Sequence, residues 1–269
     1  MADELVGFIG GGQMASALAA GALQAQVFTA QQLVFAEPSI VQQEKLLKDF
    51  SGATIVDSGT EALRMCQRVV LAVKPYILKD IAAELAGAVT AEHLLVSIVA
   101  GISLVDLQAN LNTKRIVRVM PNTPAQVGMG AAAISADNAI DKADIAWVER
   151  LMNAVGISVR VQDDLMHAVT GIAGSSPAYI YLIIEALSDG GVAMGLPRET
   201  ATRLAAQAVA GSAQMVLQTG LHPGVLKDQV TSPGGTTMAA LRELEAAGVR
   251  SAFMEAVARC VERSMELAD

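Results

Sequence analysis

Short, nearly continuous apolar runs alternate with longer stretches whose apolar residues recur every three or four positions, from residue 5 to about residue 120. Runs of the first kind suit strands buried on both faces of a parallel sheet, and stretches of the second kind suit helices packed on it. The pattern predicts strands over 32–36, 53–56, 68–73, 93–99 and 115–120, with helices over 40–50, 58–67, 77–86 and 104–110 between them. Two further short strands, 131–135 and 157–161, flank a helix around Trp147. Strand signals stop after residue 162. Helical patterning then fills the rest: one stretch interrupted at Gly174-Ser175-Ser176-Pro177, a helix over 197–218 with Pro197 in its first turn, and helices over 222–229, 236–246 and 251–267.

The alternation implies an α/β Rossmann-type doubly wound sheet domain followed by an all-α C-terminal domain. The boundary is expected near residue 162, with 1–162 as the dinucleotide-binding domain and 163–269 as the helical domain. Residues 178–187, AYIYLIIEAL, are apolar nearly all round a helix, and the segment is too short to span a bilayer. An intersubunit core explains it better, so the chain is expected to form a homodimer.

The first turn carries the most specific local pattern. In residues 5–15, LVGFIGGGQMA, an apolar strand breaks into three glycines and restarts as a small-residue helix. Gly10 and Gly12 fill the first two positions of the dinucleotide fingerprint, and Ala15 takes the third. Gly10 and Gly12, lacking side chains, would let backbone N–H groups approach a pyrophosphate at a helix N-terminus. The second strand ends at an acid, Glu37, at the spacing expected for a ribose-binding carboxylate. In a doubly wound sheet the ligand lies beyond the carboxyl ends of the strands, which brings residues 72–75, 98–101 and 120–124 to the same edge.

Composition removes several alternatives. Nineteen Lys and Arg against 27 Asp and Glu give a net charge of −8 over 269 residues, and the basic residues form no cluster, so a nucleic-acid surface is not expected. Cys66 and Cys260 stand far apart without metal-ligand spacing, so neither a metal site nor a disulfide framework is predicted. The acidic N-terminus lacks the features of a signal peptide, and a cytoplasmic protein without a membrane span is expected. Mean hydropathy is +0.43 although aromatic residues make up only 3%.

A second turn-rich motif, TSPGGTT over 231–237, directly precedes a helical segment. If the helix starts near Gly235, its free N–H groups and the hydroxyls of Ser232, Thr236 and Thr237 make an anion site suited to a small carboxylate. Ordinary helix capping by Ser and Thr is the competing explanation.

Taken together, FIGGGQMA, LAVKP, VRVMPNTPAQVGMG, GIAGSSPAY, HPGVLKD and TSPGGTT resemble the pyrroline-5-carboxylate reductases over nearly the whole chain. The resemblance implies NAD(P)H-dependent reduction of 1-pyrroline-5-carboxylate to L-proline, by a homodimer that assembles further into rings of dimers, up to a decamer. It implies that Ile9, Gly10, Gly11, Gly12, Gln13 and Met14 face the coenzyme pyrophosphate, that Ala72, Val73, Lys74, Pro75 and Ala100 line the dinucleotide cleft, and that Asn122 lies near the nicotinamide end. Ser232, Gly234, Gly235, Thr236 and Thr237 match the family's substrate loop, and Thr237 matches the threonine that contacts the ring nitrogen. One departure stands out: some relatives place a serine where Glu37 stands, to help hold the 2′-phosphate of NADPH, and another cofactor-contacting Asn matches Gly59. The family is most often described with NADPH, whereas Glu37 leans towards NADH. The β-hydroxyacid dehydrogenases share the two-domain plan, but they use a lysine on the long helix after the sheet, and residues 161–196 contain none.

Overall fold

The structure is a computed structural model that describes residues 4–267. Eight strands form one sheet in the order β3-β2-β1-β4-β5-β6-β7-β8. They are β1 (Val6–Ile9), β2 (Leu33–Ala36), β3 (Thr54–Val56), β4 (Arg68–Leu71), β5 (Leu94–Ser97), β6 (Ile116–Met120), β7 (Gly130–Ala136) and β8 (Gly156–Arg160). The first six run parallel, β7 is antiparallel to β6, and β8 is parallel to β7. Chain order reverses at β1, whose neighbours are β2 and β4, so the crevice at the end of β1 is the switch point where such sheets bind ligands.

Helices α1 (Gln13–Gln24), α2 (Ile40–Asp49), α3 (Gly59–Met65), α4 (Pro75–Ala88), α5 (Leu104–Asn110) and α6 (Lys142–Asn153) cover the sheet. Side chains alternate between two cores, as a two-residue strand period requires. Phe8, Leu18, Phe35 and Trp147 lie in one, with Phe35 centred between Phe8 at 5.4 Å and Phe50 at 5.3 Å. Ile9, Leu71, Leu78, Leu95 and Leu107 lie in the other. Two boundaries differ from the sequence pattern for identifiable reasons. Pro75 does not merely end a strand; it opens α4 at the first helical position, where its missing N–H costs nothing. His93 precedes β5 in a turn, its Nδ1 at 2.8 Å from the Thr90 amide and its Nε2 at 2.8 Å from the Leu63 carbonyl oxygen.

After β8 come α7 (Met166–Val169), a π-turn over Thr170–Gly174, α8 (Ser176–Ala193), α9 (Arg198–Thr219), α10 (Pro223–Gln229), α11 (Thr236–Ala246) and α12 (Val249–Glu266). The chain divides into two compact units. One comprises the residues up to Ser175 together with those from Cys260 onward, and the other comprises Ser176–Arg259. In the second unit α8 packs on α9, and Gly191 allows close approach to Ala201, which a Cβ would meet at 3.1 Å. Within one chain α8 is not covered on all sides. Only Ser188 is buried, while Leu182 is 66% exposed and Tyr181 61% exposed. Among the described residues, no helix is long and apolar enough to cross a membrane.

Candidate active site

The glycine turn is built by backbone geometry first. Gly10 has φ +96°, and a Cβ there would stand 2.9 Å from the Ala72 carbonyl oxygen, so position 10 must be glycine for the fold itself. Its N–H donates to the Ala36 carbonyl at 2.9 Å, while the Ala72 N–H donates to the Ile9 carbonyl at 2.8 Å, which fixes the turn between the ends of β2 and β4. Gly12 is different. Its backbone is ordinary extended chain, and a Cβ would meet no protein atom within 4 Å.

Gly12 is also the N-cap of α1, no side chain caps that helix, and no acid lies in its first turn. Open space in front of uncapped helix N–H groups fits a dinucleotide pyrophosphate. Gln13 and Met14 form the first turn, and Ala15 is fully buried against the sheet, as the fingerprint's third position requires.

Glu37 follows β2 directly and closes over the turn. Its Oε2 accepts from the Gly11 N–H at 2.9 Å and its Oε1 from the Ser39 N–H at 3.0 Å. The carboxylate thus sits at the glycine turn, half-buried, where an adenosine ribose would lie in this fold. Sequence reasoning found Glu37 but missed its neighbours on α2, Gln42 and Gln43. Gln42 Nε2 donates to the Gly11 carbonyl, and Gln43 Nε2 donates to the Glu37 carbonyl at 2.7 Å.

On the β4 side of the glycine turn, Lys74 is exposed as the N-cap residue of α4, and Ala72 and Val73 are half-buried beside it. Pro75 and Ala100 line a groove of about 680 Å³ together with Thr170, Ser175, Cys260 and Arg263. The sequence singles out neither Thr170 nor Arg263, and it marks Ser175 only as part of a helix interruption and Cys260 only as a thiol without metal-ligand spacing. The π-turn presents Thr170 and Ser175: the Ser175 N–H reaches back to the Thr170 carbonyl at 2.8 Å, and the Ser175 hydroxyl meets the Cys260 thiol at 3.3 Å. Interruption of the helical pattern at Gly174-Ser175 was the available signal, since π-turns occur often at functional sites. A second groove of about 780 Å³, beside β7 and β8, shares no residue with the glycine turn.

Asn122 is buried, and both ends of its amide are engaged. Its Nδ2 donates to the Ala173 carbonyl at 3.1 Å, and its Oδ1 accepts from the Ala131 N–H at 2.8 Å. It therefore braces the end of β6 to the π-turn and to β7, with one N–H and one lone pair left for a ligand.

The 231–237 motif lies in the second unit. Gly234 has φ +65°, and Gly235 is the N-cap of α11 with no side-chain cap bond. A Cβ on Gly235 would stand 2.3 Å from Ser232 Oγ, so glycine lets that hydroxyl lie close to the helix start. Thr237 is half-buried, and among the described residues the hydroxyls of Ser232, Thr236 and Thr237 make no hydrogen bond. Helix capping therefore does not account for these hydroxyls.

A doubly wound sheet with an open glycine turn at its switch point, and an acid closing over that turn, is the architecture of a dinucleotide-binding protein. Comparison with known proteins narrows the class. Residues 163–267 match the family model described as pyrroline-5-carboxylate reductase dimerisation, and residues 5–101 match that of NADP oxidoreductase, coenzyme F420-dependent. The chain is 44% identical to pyrroline-5-carboxylate reductase of Pisum sativum, over 97% of this chain and 95% of the relative, and 39% identical to that of Escherichia coli, over 98% of each. Among solved structures, a pyrroline-5-carboxylate reductase of Coxiella burnetii superposes with a TM-score of 0.92 at 33% identity, covering 99% of each chain. The Plasmodium falciparum pyrroline carboxylate reductase with NADP bound gives 0.87 at 33% identity, covering all of both chains. The chain belongs to the pyrroline-5-carboxylate reductase family.

Proposed function

We infer that the protein reduces 1-pyrroline-5-carboxylate to L-proline with a nicotinamide coenzyme, as the last step of proline biosynthesis in the cytoplasm. The observation that carries this reading is the start of α11, where an uncapped helix N-terminus stands beside three hydroxyls that make no hydrogen bond among the described residues. That donor set suits a small carboxylate. Ser232, Gly234, Gly235 and Thr236 would hold the substrate carboxylate, and Thr237 would hydrogen-bond the ring nitrogen as it becomes an amine. The coenzyme supplies hydride. Because a protonated cyclic imine is already an electrophile, positioning is the main task left to the chain, and no strong acid is required of it.

The domains we propose are 1–162 for the coenzyme and 163–269 for dimerisation and substrate. The exposed apolar residues of α8 support a homodimer, and rings of such dimers, up to a decamer, extend that reading. For the coenzyme, Ile9 to Met14 would meet the pyrophosphate, Ala72 to Pro75 and Ala100 would line the cleft, and Asn122 would act near the nicotinamide. Glu37 supports NADH over NADPH. A carboxylate 4 Å from a 2′-phosphate is repelled by about 1 kcal/mol per charge in bulk water and by about 4 at an effective dielectric of 20. The deciding experiment is oxidation of NADH and of NADPH by the purified protein with racemic pyrroline-5-carboxylate. Turnover is expected, with the higher kcat/KM for NADH; no turnover with either coenzyme near neutral pH rejects the assignment.

A further inference from the structure

We propose that Gln43 is a positioning residue for coenzyme choice, acting through Glu37. The inference rests on the reading of Glu37 as the acid that faces the ribose. A carboxylate tells a ribose hydroxyl from a 2′-phosphate only if it cannot swing aside when the phosphate arrives. Two N–H groups, from Gly11 and Ser39, hold the Glu37 carboxylate itself. They hold it only as long as the backbone of residue 37 stays where it is.

That backbone lies just past the last paired residue of β2. The β2 register ends at Ala36 opposite Val56, and the Glu37 N–H still reaches the Val56 carbonyl at 3.0 Å. Its carbonyl accepts from Gln43 Nε2 at 2.7 Å. The same amide nitrogen lies 3.2 Å from Asp57 Oδ1, at the end of β3. One half-buried side chain on α2 therefore staples the ends of two strands and fixes the residue between them. It also keeps Asp57, a second carboxylate, on this edge.

Gln42 provides the contrast. Its amide donates to the Gly11 carbonyl in the glycine turn, which faces the pyrophosphate common to both coenzymes. Loss of Gln42 should weaken NADH and NADPH alike. Loss of Gln43 should weaken discrimination between them.

The test is titration of the purified full-length protein with NADH and with NADPH, read by nicotinamide fluorescence. The variants are Glu37→Gln, Gln43→Leu, Gln43→Met as a second substitution without a donor, Gln42→Leu, and the double variant Glu37→Gln/Gln43→Leu. The ratio of Kd for NADPH to Kd for NADH should exceed one in the wild type. It should fall about threefold or more in each Gln43 variant, and the double variant should fall no further than Glu37→Gln alone, because the two residues act through one carboxylate. Equal weakening of both coenzymes in the Gln43 variants, or a double variant equal to the product of the single effects, overturns the positioning role. If Glu37→Gln shifts the ratio and Gln43→Leu does not, only the role of Gln43 fails. If Glu37→Gln itself leaves the ratio unchanged, the reading of Glu37 fails and this inference falls with it.

Discussion

Arg118, buried in the middle of β6, donates from Nη1 to Asp163 Oδ1 at 2.9 Å, and Asp163 lies just past the sheet, where the match to the dimerisation family begins. The second carboxylate oxygen, Oδ2, accepts from the Leu104 N–H at 2.9 Å, at the start of α5. One acid thus joins a central strand, a helix start and the exit from the sheet. Removing it leaves a guanidinium with 8% side-chain exposure and no counter-charge. Asp163→Ala should destabilise the fold by about 3 kcal/mol, the lower end for a broken buried pair because Asp163 itself keeps 25% exposure. Asp163→Asn keeps an acceptor for Leu104 and should cost less. Urea unfolding of the two variants checks the order, and equal losses would show that charge is not what matters.

The first unit was legible in the sequence because β1, β2, β4, β5 and β6 are buried on both faces almost throughout, so their apolar runs mark them. The glycine turn and Glu37 were legible because their spacing is set by local geometry. What was not legible depends on contacts across the chain. Gln42 and Gln43 sit on a helix face with no sequence signal that one binds Gly11 and the other Glu37. Asn122 was read as a ligand contact from resemblance, and its bonds to Ala173 and Ala131 could not be read locally. Cys260 meets Ser175 only because the last turns of α12 return to the first unit.

Cys66 is buried beside Gly7, where an added Cβ would meet its sulfur at 3.3 Å, and burial pushes its thiol up to about 12 from 9.0. The neutral form is favoured in the folded chain. Below pH 9 both folded and unfolded thiols are protonated and this contribution is intact; between pH 9 and about 12 the unfolded thiol ionises first, and stability is lost as pH rises. Stability of wild type minus that of Cys66→Ala should therefore fall across this window. A difference independent of pH would contradict the shift. Cys66 should also resist thiol reagents at pH 8 while the fold is intact.

Thr237→Ala should leave the fold unchanged, because among the described residues its hydroxyl makes no hydrogen bond. It should lower kcat/KM by the equivalent of about 1–3 kcal/mol, the scale of one hydrogen bond that strengthens as the ring nitrogen becomes an amine. Thr237→Ser restores the hydroxyl and should recover most of the loss. If Thr237→Ala retains wild-type kcat/KM with pyrroline-5-carboxylate, the hydroxyl takes no part in the reaction.

Gly10 and Gly12 belong to one motif, yet their backbone geometry and surroundings differ, and alanine at each separates a fold role from a coenzyme role. At position 10 the residue would have to hold φ +96° with its Cβ 2.9 Å from a backbone oxygen and 3.0 Å from Val73 Cγ1. A carbonyl at the end of a strand cannot move aside cheaply, so Gly10→Ala should cost about 2 kcal/mol or more of stability, from left-handed backbone and overpacking together. At position 12 the φ of −70° suits alanine, and its Cβ would meet nothing in the protein. Gly12→Ala should cost only about 1 kcal/mol, from the N-cap preference for glycine over alanine. Its Cβ would nevertheless occupy the space through which the backbone approaches a pyrophosphate, so affinity for NADH and for NADPH should drop together by roughly tenfold or more. Thermal unfolding without coenzyme, followed by fluorescence titration with each coenzyme, reads both quantities on the same samples. A Gly12→Ala protein that is stable and binds both coenzymes as well as wild type would mean that the pyrophosphate does not lie against this turn.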